Sequence, residues 1–310
     1  EANEDSADAH LEHYLVQQRD AAIKKARLDA EEEAMRREAE AAGNEQFREE
    51  ALAAFDEKKA EQTAEYEAAT AEARKSLQRA YELDPTKPGV LMYLGTEAMS
   101  DEDYDAALTY VRAGNEHAPE VPNFYRQEAI ALYTADRLDE ALAVLDEGLR
   151  EFGLRRAPEL AEIKIQLLLE KKDFAATREV IEELRELHHP KADTLADYHE
   201  ARILLNKGQW LEAVQALQAV GPRLCDDPRL QASAGVMQAA AYRRLGQYDL
   251  AAKKYRQVLN RTPDYAPAQA GLAEVERYTN QNQAPLSTAE IEQMVNANLP
   301  PPEDQQDWQS

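Results

Sequence analysis

Apolar residues recur at helical spacing along most of the chain, in segments separated by short polar breaks. Residues 88–101 form one such segment, with its apolar side chains on a single helical face. The polar stretch SDED follows, and a second apolar series begins at Tyr104. Because proline cannot continue a helix, Pro119 closes the pair. The pattern predicts a hairpin of two amphipathic helices.

The same pattern returns along the chain. A large residue followed three positions later by a small one occurs five times, in the pairs Tyr104 with Ala107, Leu138 with Ala141, Phe174 with Thr177, Trp210 with Ala213 and Tyr248 with Ala251. The large residues lie 34, 36, 36 and 38 positions apart. A unit of this length cannot bury its own apolar face, so it must stack on its neighbours. The sequence therefore predicts an array of helical hairpins.

The first unit carries a recognisable set of residues: Leu91, Leu94, Gly95, Ala98, Tyr104, Ala107, Val111, Gly114 and Pro119. This set resembles the 34-residue pattern of the tetratricopeptide repeat (TPR) family. Residues 73–85 match the second half of a preceding unit, and residues 232–263 match the pattern again. The resemblance implies an all-α fold, a TPR-like right-handed α-solenoid of helical hairpins.

The repeat spacing divides the chain into three segments. Residues 1–72 form a charged long-helix segment, residues 73–278 form the TPR-like array, and residues 279–310 form a flexible acidic tail. Within the array the units lie near 88–121, 122–157, 158–193, 194–231 and 232–265, followed by a closing helix at 266–278. Two of these units are longer than the family pattern, and we expect the extra residues to lie in the turns.

Both flanks have helical patterns of their own. Residues 8–42 and 44–83 predict a long helical hairpin, with Asn44 as the cap of its second helix. In the first helix Tyr14, Ala21, Leu28, Met35 and Ala42 recur every seven residues, but their companion heptad positions are polar. This hairpin either self-associates as a coiled coil or covers the open edge of the first repeat. In the tail, residues 287–299 predict a short amphipathic helix that docks in cis or on a partner.

Charge separates the flanks from the body of the protein. The 310 residues carry 60 acidic and 36 basic side chains, a formal net charge of −24. Residues 1–72 hold 21 acids and 9 bases, whereas residues 279–310 hold 5 acids and no base. This balance repels phosphate backbones and anionic lipid, so nucleic acid is not an expected partner.

The sequence leaves the compartment open. Cys225 is the only cysteine, so no disulfide can form within the chain. That composition is compatible with the cytoplasm and favours it slightly, although export or a periplasmic location after removal of a signal stays open. No run of about 18 apolar residues occurs, so we expect no membrane span.

Motifs for catalysis, cofactors and metals are not found. The sequence has no glycine-rich phosphate loop, no Gly-x-Ser-x-Gly elbow and no His-Glu-x-x-His helix. Carboxylates are abundant, but none stands in an apolar setting that would tune its acidity. We therefore predict no enzyme activity, no cofactor and no metal site.

The TPR resemblance also implies a binding groove, lined by the first helix of each unit. Its inner positions, carried onto this sequence, are Met92, Thr96, Met99, Arg126, Ile130, Tyr133, Gln166, Leu169, Tyr198, Arg202, Leu205, Val236 and Arg243. Three arginines among apolar side chains suit a peptide or amphipathic helix that carries carboxylates.

The sequence thus predicts a non-catalytic scaffold or adaptor that binds a protein partner in a concave groove. Two alternatives remain open. The chain is a structural subunit of a homo-oligomeric, envelope or secretion assembly that self-associates through its N-terminal helices, or it is the interaction module of a larger protein.

Overall fold

The protein is helical throughout the parts of the chain that the computed structural model describes, which are residues 6–41 and 45–282. The helices are α1 (Ala7–Ala41), α2 (Glu45–Leu83), α3 (Pro88–Ser100), α4 (Tyr104–His117), α5 (Pro122–Thr134), α6 (Leu138–Phe152), α7 (Pro158–Glu170), α8 (Phe174–Glu186), α9 (Pro190–Asn206), α10 (Trp210–Val220), α11 (Pro228–Arg244), α12 (Tyr248–Leu259) and α13 (Ala266–Asn282). A short 3-10 helix, Gly221–Leu224, follows α10. The predicted fold class, an all-α TPR-like array, is confirmed.

The chain divides into two compact units, Glu1–Leu167 and Leu168–Ser310. In the first unit α3 packs on α4, α4 on α5 and α5 on α6. In the second unit the same succession runs from α8 to α13. The small residues that the repeat predicts at the crossings are fully buried: Ala107, Ala141, Ala213 and Ala251 are each 0% exposed. Their size lets paired helices approach closely.

Proline starts the first helix of every hairpin from α3 to α11, because its missing N–H needs no partner in the first helical turn. The helices α9 and α11 begin at Pro190 and Pro228, four residues before the boundaries at 194 and 232 that the sequence pattern gives. Both have 17 residues, whereas α3, α5 and α7 have 13. The expectation that extra residues lie in the turns is therefore wrong, since they add one turn of helix.

Each hairpin turn uses the same backbone geometry. One residue two positions before the second helix has a positive φ of 60–74°, and these residues are Glu102, Asp136, Lys172, Gly208 and Gly246. The next backbone N–H donates to the carbonyl five residues earlier, as Asp103 does to Ala98 at 2.9 Å. This is the Schellman arrangement, which satisfies carbonyls at the end of the first helix. Asp103 and Asp173 then cap the second helix with their side chains.

The N-terminal helices α1 and α2 pack against each other and cover the first hairpin. Three of the heptad positions in α1, Tyr14, Ala21 and Leu28, are 1–4% exposed. Tyr14 joins a core that includes Leu77 of α2 and Val90 of α3. These contacts favour the covering role over a free coiled coil. The predicted cap Asn44 and the predicted helix 287–299 lie outside the described residues.

Candidate functional site

The predicted groove positions of the first unit lie together on α3 and α5. Two side-chain contacts join the two helices: the Asn123 amide reaches Met92 Sδ at 3.0 Å, and Gln127 donates to Thr96 Oγ1 at 2.9 Å. Met92, Met99, Arg126, Ile130 and Tyr133 are partly exposed, and Thr96 is exposed. The first unit therefore presents one mixed apolar and polar surface over α3 and α5. We call these six residues the α3/α5 surface.

Arg126 is the charged group of this surface. Its Nε donates to Asn123 Oδ1 at 2.6 Å, which fixes the direction of the guanidinium. Among the residues that the structure describes, no carboxylate lies within ion-pair distance of Arg126, although the protein is strongly acidic. An arginine held in this way can take a carboxylate in a two-pronged hydrogen bond.

A small pocket of about 370 Å³ adjoins Arg126. Its lining consists of Pro122, Asn123, Arg126, Arg156, Glu159 and Leu160, and we call it the Arg126 pocket. The guanidinium of Arg156 lies 5.3 Å from the centre of the Phe152 ring, which holds it in place. The sequence analysis did not include Arg156, because it lies in the connection between α6 and α7 and the repeat pattern assigns that connection no role. Gln166 of α7 is exposed, as a groove position requires.

The second unit departs from the predicted groove. Leu169 and Tyr198 are each only 3% exposed, so the assignment of these two side chains to an open groove is wrong. Tyr198 packs in a core with Leu217 of α10 and Ala234 of α11, and its Oη lies 3.0 Å from Ser233 Oγ. The contacts with α10 and α11 account for the burial of Tyr198.

The two predicted groove arginines of the second unit, Arg202 and Arg243, already contact other side chains of the protein. Arg243 pairs with Glu274 of α13. Arg202 lies 6.0 Å from the centre of the Tyr198 ring, and its Nη1 is 3.3 Å from His199 Nδ1. Burial and this neighbouring arginine lower the pKa of His199 to about 3, so the imidazole is neutral at physiological pH. Leu205 and Val236 are partly exposed and remain available for contact.

A comparison with models of protein families identifies the family of this chain. The family model described as "T7SS, ESX-1 secretion system protein EccA1, N-terminal domain" matches residues 99–276, which is 178 of 310 residues and more than half of the chain. The chain belongs to this family. A comparison with curated proteins finds no significant match.

Among solved structures, the chain is similar in fold to yeast Tom70. Yeast Tom70 is 15% identical, with a TM-score of 0.51, and the match covers 95% of this chain and 68% of that one. Cut9 of the APC/C hetero-tetramer Cut9–Hcn1 is 16% identical at a TM-score of 0.49, over 66% of this chain and 39% of Cut9. YrrB, a TPR protein with an unusual peptide-binding site, is 17% identical at 0.38, over 63% and 96%.

The protein is therefore a TPR-type member of the EccA1 N-terminal domain family. Its fold and its family together support a role as a protein-interaction scaffold. TPR-fold proteins are generally non-catalytic interaction modules. Within residues 6–41 and 45–282 no cluster of three or more His, Cys, Asp or Glu side chains is placed to hold a metal ion. No helix in the same ranges has the length and apolar character that crossing a membrane requires.

Proposed function

We propose that this protein is a non-catalytic scaffold of a type VII secretion system. Its partner would be a peptide or amphipathic helix that carries carboxylates, bound on the α3/α5 surface with Arg126 as the anchor. The family description supports the secretion context, and the description "N-terminal domain" supports a role as the interaction module of a longer protein. Within the first unit, the exposed Gln166 would add a contact. In the second unit, Leu205 and Val236 stay predicted groove positions, Arg202 and Arg243 already have partners, and Leu169 and Tyr198 are buried.

One observation carries this proposal: within residues 6–41 and 45–282, Arg126 has no carboxylate partner, although the protein has a net charge of −24. Most arginines near an acidic side chain pair with it, as Arg112 does with Glu128 at 2.7 Å. An oriented arginine without a pair, beside the partly exposed Met92 and Ile130, is a typical binding hot spot. The acidic surroundings would repel other acidic surfaces, so binding would require this local contact.

The test begins with selection of twelve-residue peptides from a display library on the full chain. We expect the selected peptides to contain apolar residues and at least one Asp or Glu. Binding is then measured by fluorescence anisotropy with Arg126→Gln, and we expect Kd to rise about tenfold, which is about 1.4 kcal/mol.

Arg150→Gln is the matched control because it removes the same charge from an exposed residue of α6 that is not part of the α3/α5 surface. We expect this variant to bind within about twofold of the wild type, since a single exposed charge is screened by salt. Equal weakening in both variants would mean that only net charge matters. That result, or selected peptides without acidic residues, would overturn the proposal.

A second candidate function is self-assembly, favoured by the outer side of α1. Leu15, Val16 and Ile23 are 41%, 63% and 60% exposed, which is unusual for large apolar residues. Val16 and Ile23 are seven residues apart and therefore share a helical face. These side chains lie on the side of α1 opposite to the buried Tyr14 and Ala21.

Light scattering on the full chain separates this candidate from the scaffold. Self-assembly through α1 predicts a multimer that becomes a monomer in the double variant Val16→Lys, Ile23→Lys. A monomeric wild type would remove this candidate and leave the scaffold proposal standing. Substitution is preferable to deletion of the N-terminal helices, because deletion would uncover the core around Leu77 and Val90.

A further inference from the structure

The second unit contains a cleft that the groove prediction does not include. It lies between α10 and α12, has α11 as its floor, and has a volume of about 730 Å³. We call it the glutamine cleft, after Gln218, Gln231, Gln238 and Gln257 in its lining. Its size falls in the range of typical ligand sites, about 300–1,000 Å³.

The glutamine cleft opens on the opposite side of α11 from the predicted groove. The groove position Val236 and the next inner position, Ala240, share one face of this helix. Gln238 is two residues from each of them, which places it about 160° around the helix axis at 3.6 residues per turn. The cleft therefore lies on the other face of α11 from the predicted groove position Val236.

The local backbone explains why a cleft exists here. Helix α10 has only 11 residues, and the chain turns at Val220 into the 3-10 helix instead of continuing alongside α12. On the other side Gly235 lets α12 approach, since a Cβ there would lie 2.5 Å from Val258 Cγ2. Gln231 spans the space, donating to Gly221 O at 3.3 Å and accepting from Arg261 Nη1 at 2.9 Å.

The charge of the cleft is opposite to that of the protein. None of its lining residues is Asp or Glu, whereas Lys254 and Arg261 are both present. Neither cation has a carboxylate within ion-pair distance among the described residues. Burial, and then the positive charge of Arg261, lower the pKa of Lys254. A bound carboxylate would relieve both effects, because it would pair with the ammonium group.

The amide side chains supply the second kind of contact. Gln238 is only 4% exposed, and its side chain has no hydrogen-bond partner among the described residues, although it lines the cleft. The amide atoms of Gln238 are not among the fully buried polar atoms without a partner, so they reach the space of the cleft and are open to a ligand. Each glutamine offers both donors and an acceptor, which match the N–H and C=O groups of a peptide backbone.

We propose that the glutamine cleft is a second binding site, which takes an extended segment of a partner protein through its backbone amides and two acidic side chains. Lys254 and Arg261 are seven positions apart, about 10 Å at 1.5 Å per residue. In an extended peptide only side chains an even number of residues apart share a face, and those two residues apart are separated by about 7 Å. The long Lys254 and Arg261 side chains can converge over the remaining difference, so the ligand would carry acidic residues at positions i and i+2. The site is independent of the α3/α5 surface, which belongs to the first unit.

Cys225 makes the test direct, because it is the sole cysteine of the chain, is exposed and lines the cleft. The measurement is the rate of Cys225 alkylation by N-ethylmaleimide, an uncharged reagent, on the full chain. The probe is a library of eight-residue peptides with Glu fixed at positions 3 and 5 and no Cys. We expect the library to slow alkylation at least threefold at saturation, and the library with Gln at both positions to have no effect.

Lys254→Gln and Lys253→Gln form the matched pair of variants. Both remove one positive charge from α12, but Lys253 is exposed and does not line the cleft. We expect the concentration for half-protection to rise at least tenfold in Lys254→Gln and to stay within twofold in Lys253→Gln. Circular dichroism and the alkylation rate without peptide establish that each variant is folded.

Three outcomes would overturn the proposal. The first is no protection by the Glu library, and the second is equal protection by the Gln library. The third concerns the acidic tail of this chain. If the variant Glu303→Gln, Asp304→Asn, Asp307→Asn accelerates alkylation without any peptide, the tail occupies the cleft and a partner segment does not. None of these results affects the Arg126 proposal, whose readout is binding to selected peptides.

Discussion

Tyr14 attaches α1 to the first hairpin through two contacts that mutation can separate. Its ring centre lies 5.2 Å from that of Tyr93 on α3. Its hydroxyl donates to Glu97 Oε1 at 2.9 Å. Burial, together with this hydrogen bond, raises the pKa of Tyr14, so the hydroxyl keeps its proton across the physiological range. We predict that Tyr14→Phe has a small effect on stability and Tyr14→Ala a large one.

The magnitudes follow from what each change leaves behind. In Tyr14→Phe, Glu97 still accepts from Gln18 at 2.7 Å and from Arg74 at 2.8 Å, so no buried acceptor is left without a partner. We expect a loss of about 1 kcal/mol, as for one ordinary hydrogen bond. In Tyr14→Ala a ring that is 3% exposed disappears from the core. The expected loss is about 3–5 kcal/mol, as for other buried aromatic residues.

Hydrogen exchange measured by mass spectrometry locates the effect. In Tyr14→Ala we expect faster exchange in α1 and α3, with no change in α11 and α12 of the second unit. Val16→Ala is the control, because Val16 lies on the same helix and is 63% exposed. Urea unfolding gives the free energies. If Tyr14→Ala cost less than Tyr14→Phe, or left exchange in α1 unchanged, α1 would not be held by this side chain.

Three further predictions concern stability. Because the pKa of His199 is about 3 in the folded protein and about 6.5 when unfolded, the unfolded state takes up the proton first and stability falls as pH falls below 6.5. Between pH 6.5 and pH 4.5 this loss amounts to about 2.7 kcal/mol, at about 1.36 kcal/mol per pH unit. His199→Gln should remove it, as measured by urea unfolding at both pH values. An equally steep profile in the variant would contradict this. Gly114→Ala should cost about 1–3 kcal/mol in thermal unfolding, because a Cβ there would lie 2.1 Å from Cε1 of the fully buried Phe124. Lys172→Gly should raise the thermal midpoint, with a gain of about 1 kcal/mol, because Lys172 has a φ of +61°; a loss would mean that its side chain contributes more than this strain costs.

Much of the fold could be predicted from the sequence because the signals are local and repeated. The expected N-terminal helices, 8–42 and 44–83, are observed as Ala7–Ala41 and Glu45–Leu83. The 34- to 38-residue spacing indicated helical hairpins, since each large and small pair marks one helix crossing. The longer α9 and α11 were missed, because an extra helical turn and a longer loop give the same spacing between repeats.

The candidate site was less predictable, because its properties depend on neighbours that are distant in sequence. Arg126 and Arg243 are both predicted groove positions, but Glu274 of α13 pairs with Arg243, whereas Arg126 has no carboxylate partner in the part of the chain that the structure describes. Tyr198 reads as a groove residue in a regular repeat, but it packs in a core with Leu217 of α10 and Ala234 of α11. No sequence signal distinguished these three cases.

The sequence by itself determined the class of this protein. Its periodic apolar positions and its small residues at each crossing specify stacked helical hairpins, because each of these signals acts within one repeat. Only the tertiary structure decided which charges are paired, which groove positions are buried, and that a cleft lined by Lys254 and Arg261 exists. The reason is physical: ion pairs, burial and cavities are set by contacts between helices, and those contacts depend on the length and ending of each helix.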